Sequence, residues 1–268
     1  MVIAPHQDDE VIGAGGKIIQ TIKKGGRVFV VYVTNSVPKN HVKMMPLPQL
    51  GEFLVTLNRR IEAKIAMTLA GVPLKNLFFL DYNSRILEGY SNYPNSELTE
   101  LVIELEGKIR NLIERLRPKE IYVSAYEGGH CDHDLINFIV SRIASELKLK
   151  RVYEMPYYPT NYPDYKKGLK YSIFQEFIPS NRDQLTSSYK IIQLELNKEE
   201  KGLKLKMLKV FRSQNPFIIR YMNKSDKFRL LPKYDYTKPP HEGELYRQGN
   251  LVCDITFEDF KNAVRWIV

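Results

Sequence analysis

Apolar and polar positions follow two different periods along the first half of the chain. Short runs rich in β-branched and aromatic residues occur at 1–4, 27–34, 76–80, 120–124 and 151–155, each of strand length. Longer segments lie between them, at 11–24, 52–70, 97–116 and about 133–148. Their apolar residues recur every three or four positions, the repeat of one helix face. Gly25-Gly26 and Gly71 follow the first two of these segments and Pro118 the third, which is how helices stop. Strands separated by helices of this length predict βαβ units and an α/β fold with a mostly parallel sheet. Residues 35–51, with three prolines, read as a loop, as do 81–96 and 125–132.

The second half is less regular. Residues 156–163 read as a loop, while 171–177 and 190–196 alternate like strands. The segment 198–212 reads as a helix, with Asn197 as N-cap, Glu199 and Glu200 in the first turn, and Leu203, Met207 and Val210 on one face. Residues 213–250 read as extended loops, and a last helix starts at Phe257. With no repeat and no linker, the expectation is one domain over 1–268. It would hold an α/β core at 1–156 and a C-terminal α+β elaboration at 157–268.

Composition narrows the class. The 268 residues are 43% hydrophobic and 26% charged, as in an ordinary globular protein. No apolar run reaches the roughly 20 residues of a membrane-spanning helix. The start lacks the pattern of a signal peptide. Cys131 and Cys253 make no disulfide framework, so a cytoplasmic setting is expected. Of the net charge of +9, residues 190–238 supply +8, from thirteen Lys/Arg against five Asp/Glu. A solvated lysine face accounts for that best, with attraction of an anionic substrate, nucleic acid or a membrane surface as the functional alternatives. Nucleic acid is not expected as a partner, and oligomeric state stays open, a homo-oligomer included.

Two dense polar stretches carry the candidate chemistry. Pro5-His6-Gln7-Asp8-Asp9-Glu10 follows the first strand, and His130-Cys131-Asp132-His133-Asp134 follows the fourth. In open α/β sheets ligands bind beyond the carboxyl ends of the strands, a rim that Asn35 and Asp81 share. His6, Asp9 and His133 would make a three-ligand set with a fourth position left for water, the pattern of a catalytic zinc. Fe(II) suits the same donors. Asp8 would take the proton of the attacking water. His130 would stabilise a tetrahedral oxyanion or protonate a leaving amine, with Asp132 orienting it. This is equipment for metal-assisted hydrolysis of an amide; each pattern taken alone reads better as surface or capping residues, and the two together favour the metal site. Glu10 divides evenly between a supporting role at the site and a helix start. Cys131 is read as filler, and His41 and His241 as surface. The tyrosines at 153–171 could line a sugar groove or simply pack.

The two stretches resemble the signatures of the PIG-L/LmbE-like family of zinc-dependent de-N-acetylases. Pro5 to Glu10 with Gly13, Gly15 and Gly16 is similar to its opening pattern, and His130-Cys131-Asp132-His133 to its His-x-Asp-His. Arg59-Arg60-Ile61-Glu62 through Ala70-Gly71-Val72 is similar to its Arg-x-x-Glu helix, with a weaker echo at Ser213-Gln214. The resemblance covers about 1–150. It implies a Rossmann-like three-layer fold and removal of an N-acetyl group from an N-acetylglucosaminyl conjugate. Carried over, it implies zinc on His6, Asp9 and His133, Asp8 as general base, His130 as the group that polarises or protonates, supported by Asp132, and Arg59 as a substrate contact. Asp81 and Tyr126 are further expected substrate contacts. Two positions depart from the family. Gln7 stands where a Pro is common, and Gly128 stands where some members carry a catalytic Tyr, a role Tyr126 or a tyrosine of 157–165 would have to fill.

Overall fold

The computed structural model describes residues 1–37, 47–88, 90, 95–156, 191–214, 226–240, 245–246 and 255–267. The expected loop and strand at 156–177, the tyrosines at 157–165, His41, His241 and Cys253 lie outside the described residues, apart from Pro156.

Met1–Ser84 with Ile192–Phe228 form one compact unit, and Arg85–Ile191 with Arg229–Val268 a second. In the first unit, β1 (Val2–Ala4), β2 (Val30–Thr34) and β3 (Leu77–Tyr82) are parallel in the order β3-β2-β1. Val2 sits opposite Val30, and Val30 opposite Leu77. β1 and β2 are buried along their whole length, which explains their unbroken apolar sequence. The helices are α1 (Asp9–Lys23), α2 (Pro48–Leu69) and, later in the chain, a lysine-rich helix at Lys198–Leu208. A short strand β6 (Ile192–Leu194) pairs antiparallel with Asp226–Phe228, the start of β7 (Asp226–Leu230).

The second unit holds the parallel pair β4 (Ile121–Ser124) and β5 (Val152–Met155), with Ile121 opposite Val152. The end of β7 adds to it antiparallel, Glu154 opposite Arg229. Its helices are α3 (Ser96–Leu116), α4 (Cys131–Glu146) and, after the helix at Lys198–Leu208 (α5), α6 (Phe257–Ile267). The buried Glu154 carboxylate is fully engaged, with Arg229, with the Tyr234 hydroxyl at 2.8 Å and with Asn137. Burial pushes its pKa up, and the Arg229 guanidinium opposes the shift. The fold is thus α/β with mostly parallel strands, as the pattern predicts. No helix among the described residues is long and apolar enough to cross a membrane.

Several boundaries move for physical reasons. α2 starts at Pro48 rather than 52, because proline suits the first helical turn, whose amide has no partner to lose. α4 starts at Cys131 rather than 133, because the His130 side chain caps it. β7 lies where extended loop was expected. Asp81 falls inside β3 rather than after it.

Two elements overturn a simple reading of polarity. In α5 the expected solvated lysine face includes Lys204, which is fully buried. Its Nζ donates to Asp226 Oδ1 (2.6 Å) and to the Ile12 carbonyl (3.0 Å). Asp226 Oδ2 accepts the Lys17 amide at 2.8 Å, so the pair rivets α5 and β7 to α1. The glycine pair in α1 makes the approach possible. A Cβ on Gly15 would stand 3.2 Å from the Lys204 chain, and one on Gly16 would stand 2.5 Å from Leu196. In α2 the inward face holds Arg59, Glu62, Ala63, Ala66 and Met67, while leucines and isoleucines face out. That inverts the usual surface helix.

Candidate active site

The first motif is the turn between β1 and α1. Pro5 is fixed to the end of β2, its carbonyl accepting the Thr34 amide (3.0 Å) and hydroxyl (2.9 Å). Gln7, fully buried, extends that link. Its amide donates to Ser36 Oγ (3.1 Å), its Nε2 to the Thr34 carbonyl (3.0 Å), and its Oε1 accepts from Ser36. The departure from proline therefore replaces ring rigidity with three hydrogen bonds. Asp8 takes a backbone φ of 137°, a strained value for a residue with a side chain, held by the structure around it. Part of that hold is Glu10, which is fully buried and accepts the Asp8 amide at 2.9 Å and the Tyr32 hydroxyl at 3.0 Å. Burial pushes the Glu10 pKa up to about 8. Glu10 thus shapes the turn as well as beginning the helix.

His6 and Asp9 face each other across this turn. Asp9 Oδ2 accepts the His6 amide at 2.9 Å and lies 3.2 Å from His6 Nδ1. Two donors on one tetrahedral zinc stand about 3.3 Å apart for bonds of roughly 2.0 Å, so this spacing fits a shared cation. His6 Nε2 is 3.4 Å from Ser84 Oγ.

Asp8 is steered from α2. Arg59, 2% exposed, brings Nη2 to 3.6 Å from Asp8 Oδ1. Its Nη1 donates to Ser213 Oγ (3.2 Å), and Glu62 in turn accepts the Ser213 amide (2.9 Å) and hydroxyl (2.5 Å). With its amide nitrogen turned to the carboxylate, Gln214 donates to Asp8 Oδ2 at 3.3 Å and accepts from Arg59. Burial raises the Asp8 pKa to about 7, against the pull of Arg59, with Asp9 adding to the rise. That range suits a general base at neutral pH.

The second motif opens α4. His130 is its N-cap, with Nδ1 accepting the Asp132 amide at 3.1 Å, so the neutral ring carries its proton on Nε2. Asp132, fully buried, accepts the amides of Arg85 and Ile86, both at 2.7 Å, and its carboxylate lies 4.0 Å from His130 Nδ1. It anchors the turn at 85–86, where Arg85 has a positive φ of 60°. His133 is buried, its ring centroid 5.3 Å from that of His130. Asp134 accepts the amides of Glu127 (3.0 Å) and Gly128 (2.9 Å) and the Tyr246 hydroxyl (2.9 Å), which fixes the loop leading into His130. Gly128 has φ 65°, and a Cβ there would meet the Leu245 side chain at 2.4 Å, so a tyrosine at this position would be strained and would have to displace Leu245.

Within each unit the expected residues thus gather, His6, Asp8, Asp9 and Arg59 in one, and His130, Asp132 and His133 in the other. Two expected substrate contacts have partners of their own. Asp81 is ion-paired with Arg60, and Tyr126 is buried in a cluster with Tyr234, Tyr236 and Phe260, its hydroxyl donating to the Lys238 carbonyl at 2.8 Å. Cys131 is buried and is in no disulfide among the described residues. The supporting roles of Tyr32, Ser36 and Tyr246 carry no sequence signal, since each acts through a partner far along the chain.

The fold is shared with several solved deacetylases. A teicoplanin-biosynthesis deacetylase in complex with teicoplanin superposes with a TM-score of 0.63 at 17% identity, covering 87% of this chain and 98% of that one. The zinc-inhibited form of the teicoplanin deacetylase Orf2 gives 0.60 at 16%, with the same coverage. N,N'-diacetylchitobiose deacetylase from Pyrococcus horikoshii gives 0.52 at 19%, covering 86% and 82%. A search of curated proteins gave no match. Residues 1–144 match the family GlcNAc-PI de-N-acetylase, PIG-L, and the chain belongs to that family. Membership of the family supports a metal-dependent, hydrolytic N-deacetylase.

Proposed function

We propose that the protein removes the N-acetyl group from an N-acetylglucosamine-type sugar conjugate, using zinc held by His6, Asp9 and His133. The observation that carries this reading is the first turn, where His6 Nδ1 and Asp9 Oδ2 stand 3.2 Å apart beside a carboxylate, Asp8, raised to about 7. The family match supports it, because it spans both motifs. Zinc at these donors supplies Lewis acidity, lowering the pKa of water to about 7, and Fe(II) suits them too. Asp8, aligned by Arg59 and Gln214, accepts the proton of the attacking water. His130, with its proton on Nε2, donates to the developing oxyanion. The C–N bond then breaks, acetate leaves, and the amine takes the proton. Asp132 acts on this chemistry through the 85–86 turn and the start of α4, and so keeps His130 in place. Arg59 positions Asp8 from within the fold. The anionic character of the conjugate, the roles of Asp81 and Tyr126 toward it, and a cytoplasmic setting remain parts of this reading.

The test is acetate release from N-acetylglucosamine glycosides, beside longer N-acyl analogues and acetylated non-sugar amines. Preferential release from the N-acetyl sugars is expected. Turnover confined to non-sugar amides or to longer acyl chains would overturn the substrate reading and leave the hydrolytic site standing.

A further inference from the structure

His6 meets a polar atom on both edges of its ring. Its Nδ1 lies 3.2 Å from Asp9 Oδ2, and its Nε2 lies 3.4 Å from Ser84 Oγ, within hydrogen-bond reach. Ser84, in the loop after β3, is 7% exposed. Its place is set through the backbone. The Ser84 amide donates to Asn35 Oδ1 at 3.2 Å, an oxygen that also accepts the Val37 amide at 3.1 Å. The Asn35 amide donates to the Tyr82 carbonyl at 2.7 Å, and its side-chain nitrogen donates to Glu52 (3.2 Å) and Asn83 (3.3 Å). Buried Asn35 thus ties the end of β2 to the end of β3, and that tie brings the Ser84 hydroxyl to His6.

A neutral imidazole carries one N–H, on either nitrogen. A ring that offers Nδ1 to a cation must carry its proton on Nε2. An acceptor at Nε2 then fixes the ring and makes Nδ1 the stronger donor. Ser84 Oγ stands where that acceptor is needed. A hydroxyl also donates, so the same atom serves the other tautomer, in which Nδ1–H points at Asp9. An ionised carboxylate, which only accepts, could not serve both. We propose that Ser84 is a positioning residue for metal binding, accepting a hydrogen bond from His6 Nε2–H and so holding a bare Nδ1 beside Asp9 Oδ2. Resting on the metal reading of His6 and Asp9, this goes further by assigning the ligand atom and the residue that selects it.

Two measurements on the full chain test it: zinc affinity by competition with a chelating dye, and long-range 1H–15N correlation spectra of the histidine rings with zinc bound. His6 signals are assigned by their loss in His6→Gln. The parent should hold zinc through His6 Nδ1, with the proton on Nε2. Ser84→Ala keeps the backbone bond to Asn35, so its metal-free melting temperature should match the parent's while zinc affinity falls about 10- to 100-fold. Ser84→Thr, which restores a hydroxyl, should bind zinc more tightly than Ser84→Ala. Zinc on His6 Nε2, or a Ser84→Ala variant with the parent's affinity, overturns the proposal and leaves the metal site standing. An affinity loss matched by a lower metal-free melting temperature overturns it in favour of a structural role. A parent that binds no zinc, or zinc held equally by His6→Gln, overturns the metal reading and the role of Ser84 with it.

Discussion

Asp132→Asn separates a structural role for this carboxylate from a purely electronic one. Asp132 is fully buried and accepts two amides, Arg85 and Ile86, each at 2.7 Å. Asparagine keeps one oxygen and sets an NH₂ group against the other amide, so one buried N–H loses its acceptor and meets a donor. A buried donor left unsatisfied costs about 1–3 kcal/mol, and the remaining bond loses its charge assistance, for a total of about 2–4 kcal/mol. For a protein of this size that lowers Tm by about 5–12 °C. The assay is a thermal melt with circular dichroism, read beside acetate release. The structure predicts a melt lowered by that amount together with reduced turnover, because the turn at 85–86 and the start of α4 loosen together. A variant that melts like the parent while losing turnover would refute this reasoning and return Asp132 to direct support of His130.

Lys204→Met should cost about 3–5 kcal/mol in urea denaturation by stranding buried Asp226, and adding Asp226→Leu should recover much of it, which a double-mutant cycle checks. Gly128→Tyr should fail to fold or lose several degrees of Tm, through φ 65° and the 2.4 Å approach to Leu245, and should not raise activity. Gln7→Pro should lower stability by about 1–3 kcal/mol through its three lost hydrogen bonds while acetate release persists, and melts run beside steady-state kinetics would show it.

Much of the frame was legible because its signals are local. The unbroken apolar runs of β1, β2 and β4 announce strands buried along their length, and the two polar motifs sit directly after such strands. The N-cap at Asn197 is a local signal and reads correctly, and Glu200 three residues on completes a capping box with it. What sequence reasoning missed depends on distant partners. Lys204 looks like a solvated lysine until Asp226 and the Ile12 carbonyl close around it. α2 looks like an ordinary amphipathic helix, yet Arg59 and Glu62 occupy its inward face because Asp8 and Ser213 lie there. His130 capping its own helix moves the start of α4 by two residues, an effect of side-chain geometry rather than periodicity. Glu10 could be assigned only once Tyr32 and the Asp8 amide were seen to converge on it.

The most direct test of the central claim is metal content of the purified protein, measured together with acetate release, for the parent, Asp8→Ala and His133→Ala. The account predicts about one zinc or iron per chain in the parent and in Asp8→Ala, turnover lost in Asp8→Ala, and both metal and turnover lost in His133→Ala. Full metal retention in a folded His133→Ala variant, or a parent that binds no metal on reconstitution, would contradict it.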